Sequence, residues 1–170
     1  MTKQFSTFIA TPTKANFSTI QNSIISDDNY SPYSDDIYII MDLYEDEKLE
    51  ELINYEGVNI KLSSKVHYYK HLALLELGRI KEAINEKEIA IAIVKGILST
   101  GNGSISSPYI ITRVSDERDV LDYLDENLDS QSLIFEKSNH LDLIGCQSGK
   151  EIYFNINYPF LKMSKDRVKL

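Results

Sequence analysis

Apolar positions recur at spacings of three and four through the first half of the chain and give way after Leu98 to short β-branched runs, a change from helical to strand periodicity. Phe17, Ile20 and Ile24 predict a helix over 14–25, which the polar turn Ser26-Asp27-Asp28-Asn29 ends. Ser34, Asp35 and Asp36 start the next helix, with Ile37, Ile40, Met41 and Tyr44 as its buried face. A short helix through Leu49, Leu52 and Ile53 follows, capped by Asp46 and closed at Gly57. Residues 63–98 then form a helical hairpin. Ser63 or Ser64 caps its first helix, which faces inward through Val66, Tyr69, Ala73 and Leu77, and Gly78 stops it. The second helix carries a stripe of Ile80, Ala83, Ile84, Lys87, Ile91, Val94 and Leu98, while Ile89, Ala92, Ile93 and Ile97 make its later half apolar on other sides too. A helix that is apolar all round is covered all round. The preceding helix covers one side, and the sheet is expected to cover the other.

Thr100-Gly101-Asn102-Gly103-Ser104 turns the chain, and Tyr109 to Val114 reads as a strand. Ser115-Asp116-Glu117 opens a short helix carrying Val120, Leu121 and Leu124. Three further strand-like runs, 132–136, 140–146 and 151–156, are joined by turns at Ser138-Asn139 and Ser148-Gly149. The expected fold class is α+β: N-terminal helices, including the hairpin, packed on a small, mainly antiparallel C-terminal sheet with one short helix. Residues 1–13 are expected to be a flexible leader, 14–98 the helical part, 104–160 the sheet part in the same globular unit, and 161–170 a basic tail.

With 42% hydrophobic and 26% charged residues the chain has the composition of a folded domain. A net charge of −8 and a pI near 4.9 leave no basic face for phosphates, which excludes a nucleic-acid partner from the expectation. The charge is uneven: residues 27–56 hold eleven acidic side chains against the single Lys48, whereas 57–98 hold seven basic and four acidic ones. The plain explanation is a solvated acidic surface; the functional one is an acidic interaction face. A lone Cys146 rules out an intramolecular disulfide and fits a reducing compartment or indifference to redox. No signal-peptide pattern and no apolar run long enough to span a bilayer are present, so the expected setting is cytoplasmic, with no membrane partner.

Aligned on Gly78, the hairpin resembles one tetratricopeptide repeat, with Ala83 and Ala90 at positions that must be small for the helices to approach. His67, Lys70 and His71 stand where that repeat has its first-helix aromatic and Leu-Gly pair, so the resemblance implies the shape and not peptide binding. A longer likeness runs from Asn16 to Phe160. Ser31-Pro32-Tyr33, the stretch Ile97 to Gly103, Val114-Ser115-Asp116-Glu117 with Val120-Leu121, Gln131-Ser132-Leu133, Asp142-Leu143 and Ile152 to Ile156 resemble, in this order, the motifs of the bacterial domain-of-unknown-function family numbered 4919. Asn102 and Arg118 depart from the Asp and Tyr typical there, and the tyrosine-rich segment after Tyr33 is reduced. The resemblance implies neither reaction nor ligand; many members of that family look exported.

The candidate chemistry is sparse. His67 and His71 lie one helical turn apart, as two metal ligands would, but no third ligand accompanies them, and Tyr68 and not Glu lies between them. His140 and Cys146 are six residues apart on one strand, roughly 20 Å at about 3.3 Å per residue, too far for a thiol dyad. Gly101-Asn102-Gly103 is only superficially a phosphate loop, because it closes a helix instead of opening one. Asp116 and Glu117 form a possible acid–base pair with Arg113 as an anion clamp, although Ser115 or Asp116 capping the helix explains the same residues. Eleven Tyr and no Trp point to core rims or to a tyrosine-lined groove.

The expected function is therefore a non-catalytic binding or protein-interaction module that uses such a groove or the acidic face. Its candidate binding residues are Gly101, Asn102, Gly103, Arg113, Asp116 and Glu117, with no catalytic residue, metal or cofactor, a protein as the expected partner and the oligomeric state open. The alternative is a small hydrolase-like enzyme, which requires the Gly101 turn and the Asp116/Glu117 cap to share a pocket. A deep pocket with convergent polar groups would favour the enzyme; an apolar patch or shallow groove would favour the module.

Overall fold

The structure is a computed structural model and describes residues 2–167. Its order is α1 (Lys3–Ala10), α2 (Lys14–Ile25), α3 (Asp36–Glu45), α4 (Leu49–Asn54), a 3-10 turn (Val58–Ile60), α5 (Ser64–Glu76), α6 (Ile80–Leu98), β1 (Tyr109–Ile110), α7 (Asp116–Tyr123), β2 (Leu128–Glu136), β3 (Asn139–Cys146), β4 (Glu151–Asn155) and α8 (Asn157–Arg167). The class is α+β, as the periodicity predicts. The sheet runs β1-β4-β3-β2; β1 is parallel to β4 and the other pairings are antiparallel. No helix among the described residues is long and apolar enough to cross a membrane.

α6 is the central strut. Ile89, Ala90, Ala92, Ile93, Val94, Gly96 and Ile97 are all buried, and four of these join Ile144, Ile152 and Phe154 of the sheet in the main core. The sheet does not cover α6 alone, because the expected flexible leader is a helix. Thr2 Oγ1 caps α1 by accepting from Phe5 N, and Phe8 is fully buried with its ring 5.8 Å from that of Phe17. Both rings press on Gly96, where a Cβ would lie 2.6 Å from Phe17 Cδ2 and 2.8 Å from Phe8 Cε2. A second, smaller core of Ile37, Ile40, Leu52, Ile60, Val66 and Ala73 joins α3, α4 and α5.

Other expectations change at the ends of elements. Ser63 caps α5 through Val66 N, as its position predicts, but Asp46 pairs with Lys48 at 2.8 Å and leaves α4 without a side-chain cap. Leu77, Ile80 and Ile84, assigned to buried stripes, are exposed near the tip of the hairpin, where the contacts to α3 and α4 are polar, Tyr44 to Glu76 and Arg79 to Glu50. β1 is two residues long and not six, since the chain bends after Ile110 to feed Thr112 and Arg113 into buried polar contacts. β2 starts at Leu128, ahead of the expected 132. The basic tail continues as α8, whose Phe160 stacks on His140 with ring centroids 3.8 Å apart; residues 168–170 of the expected tail lie outside the described residues.

Candidate functional site

The segment from Ile111 to Arg113 is a polar hub between the helices and the sheet. Thr112 accepts from Gln21 Nε2 at 3.1 Å through its hydroxyl and from Tyr30 Oη through its carbonyl. Arg113, 2% exposed, donates from Nη1 to Asn59 O (2.8 Å) and from Nη2 to Ser34 O (3.2 Å), which ties the loop before α3 to the start of α7. Neither Ser115 nor Asp116 caps α7. Asp116 turns back instead, and its Oδ2 accepts from Thr112 N (3.0 Å) and Arg113 N (2.8 Å). Burial raises its carboxyl to about 6 against the pull of those N–H groups and the Arg113 charge.

Glu117 and Asp119 point elsewhere. Half-buried Asp119 accepts from Lys65 N in the first turn of α5 at 3.0 Å, and burial, then Asp116, pushes it up to about 7. Glu117, 4% exposed, faces β3: Gln131 Nε2 of β2 donates both to Glu117 Oε2 (3.1 Å) and to Asp142 Oδ2 (3.0 Å). Burial, followed by the Asp142 charge and a hydrogen bond that protonated Glu117 gives Asp142, pushes Glu117 up to about 9. That shift favours the protonated form of Glu117.

Over Glu117 lies a cleft of about 420 Å³ lined, among others, by Tyr33, Tyr38, Val114, Arg118 and Gln131. Among the described residues three buried side-chain atoms lack a hydrogen-bond partner: Arg113 Nε, Glu117 Oε1, and Ser34 Oγ, which turns toward Asp36 without closing a bond. All three belong to residues that line this cleft. Beside it runs a larger groove of about 720 Å³, walled by Tyr44, Tyr68, Tyr69, Tyr123, Leu72 and Ile91. Four tyrosines line it, and Lys65 and Asp119 line both spaces.

Of the sequence-predicted site residues, the structure brings Arg113, Asp116 and Glu117 together and puts Gly101, Asn102 and Gly103 elsewhere. None of those three lines the cleft. A Cβ on Gly101 would lie 2.3 Å from Pro108 O; Gly103 adopts φ +75° against Tyr109; and Asn102 Oδ1 accepts from Ser104 N and Oγ. These are the needs of a tight turn. The enzyme alternative, as a pocket shared by the turn and the cap, loses its geometry here. His67 Nδ1 meets Glu86 at 2.6 Å and His71 Nδ1 meets Ala83 O at 2.8 Å, so both rings fasten α5 to α6. His140 hydrogen-bonds Asn157, and Cys146 is buried, its thiol pushed up by burial. Neither cleft is lined by an imidazole or a thiol.

Gln131, Asp142, Asp119 and Lys65 were not legible as site residues. Gln131 and Asp142 were marked only as parts of family-like strand segments, without a role. Compared with family models, with curated proteins and with solved structures, the chain shows no match. The resemblance to the family numbered 4919 thus rests on its short segments alone.

Proposed function

We propose that this chain is a non-catalytic binding module whose site is the polar cleft over Glu117 and whose occupant is a small polar molecule. The observation that carries the reading is convergence: two buried side-chain atoms without a hydrogen-bond partner, Arg113 Nε and Glu117 Oε1, belong to residues that line one cleft. Each such atom costs about 1–3 kcal/mol, and native proteins keep few of them. A ligand acceptor relieves Arg113 Nε, a polar ligand group meets the Glu117 carboxyl, and the exposed faces of Tyr33 and Tyr38 suit a flat body. The volume falls within the roughly 300–1,000 Å³ of small-molecule sites. Amide-resolved NMR titration with a library of polar fragments tests this. Shifts should converge on Ser34, Arg113, Glu117 and Gln131; fragments that collect only in the tyrosine-lined groove, or none binding, would refute it.

A small enzyme is the second reading, favoured by the raised proton affinity of buried Glu117, since such a carboxyl serves as a general acid near neutral pH. It predicts turnover of some ester, amide or glycoside that Glu117→Gln abolishes while the fold persists. A hydrolysis unaffected by that substitution would arise elsewhere.

A further inference from the structure

Strand β2 is the outer edge of the sheet and, at nine residues, its longest strand. At about 3.3 Å per residue it presents close to 30 Å of backbone. Long exposed edges are usually guarded by proline, by charge or by shortness. Between Ser130 and Phe135 this one has neither proline nor charge, and Leu133 and Phe135 are 47% and 63% exposed. The only guards stand at its ends: Asp129 beside a register irregularity, and Glu136 with Lys137.

Its geometry also fixes which groups are free. Glu136 and Asn139 flank the two-residue turn Lys137-Ser138, so the N–H and C=O groups of Glu136, Ile134, Ser132 and Ser130 face β3. Those of Gln131, Leu133 and Phe135 face outward. We propose that β2 pairs antiparallel with β2 of a second copy of this chain, joining two four-stranded sheets into one of eight strands. In the register centred on Leu133, each Leu133 meets its own copy and Gln131 lies opposite Phe135. The outward groups of Gln131, Leu133 and Phe135 then find partners, Asp129 of one copy comes near the turn residue Lys137 of the other with opposite charge, and the exposed Leu133 and Phe135 side chains form one seam. Because Gln131 also lines the polar cleft, the two ligand sites flank this seam.

Light scattering across micromolar to millimolar concentrations tests the pairing. A mass approaching twice the 19.5 kDa of one chain is expected, falling to one chain for Leu133→Lys with an unchanged circular-dichroism spectrum. Under oxidation Leu133→Cys should cross-link copies through residue 133, whereas Ser132→Cys, on the opposite face of the strand, should not. A single-chain mass throughout would overturn the proposal and leave the edge to an extended segment of another protein; equal cross-linking from positions 132 and 133 would overturn it too. Neither result bears on fragment binding in the cleft.

Discussion

Glu117 sits one residue from Asp116 and two from Asp119, yet the three carboxyls meet different surroundings, because each residue turns about 100° around α7. Asp116 faces the backbone N–H groups of its own approach, Asp119 the first turn of α5, and Glu117 a second carboxyl on β3. All three have raised proton affinities, with burial the leading cause. The linkage has one sign. A carboxyl whose folded pKa exceeds its unfolded value contributes stability below the unfolded value, and that contribution is lost as pH rises through the folded one. For Glu117 the window runs from 4.5 to about 9. The protein should lose stability across it, at no more than about 1.4 kcal/mol per pH unit from this group. Glu117→Gln keeps the shape without the titration. Denaturant melts should show the variant flatter with pH than the wild type and more stable at pH 8; parallel curves would show that Glu117 is solvated in the folded state. At this scale the sequence marked Arg113, Asp116 and Glu117 but not their partners, since Gln131 and Asp142 reach them only through strand register.

Among elements, α1 and the hairpin tip make opposite predictions. Phe8 is fully buried against Phe17 and Gly96, so Phe8→Ala should cost about 3–5 kcal/mol, seen as a lower urea midpoint. Gly96→Ala gains roughly 1 kcal/mol of helix propensity but meets two rings inside 3.0 Å, where overpacking costs about 1–3 kcal/mol. A net loss is expected; a gain would mean that α1 swings clear of α6. Ile84, exposed at the hairpin tip, should change to Ser within about 0.5 kcal/mol. Long periodic segments such as 14–25 and 80–98 were readable because their own spacing defines their buried face. α1 was passed over although Phe5, Phe8 and Ile9 have helical spacing, because the Ser, Thr and Lys around them read as a loose leader until Phe17 and Gly96 supply a surface for Phe8. The tip misled for the converse reason: Ile80 and Ile84 keep the stripe where the contacts to α3 and α4 are polar.

Across the whole molecule, the clefts lie where the acidic helices meet α7 and the edge of the sheet, and Lys65 and Asp119 stand between polar cleft and tyrosine-lined groove. That arrangement follows from topology. The helix-then-sheet order was plain in the sequence, but α7 lodging between α5 and β2 was not, and it alone brings a buried arginine, a buried glutamic acid and two tyrosines to one opening. The binding reading therefore depends on the cleft floor being dry enough to keep Glu117 protonated. Carbon-detected NMR titration of the Glu117 side-chain carboxyl measures this directly. A midpoint near 9 is predicted, moving down in Asp142→Asn as the neighbouring charge is removed; a wild-type midpoint near the ordinary 4.5 would contradict the account.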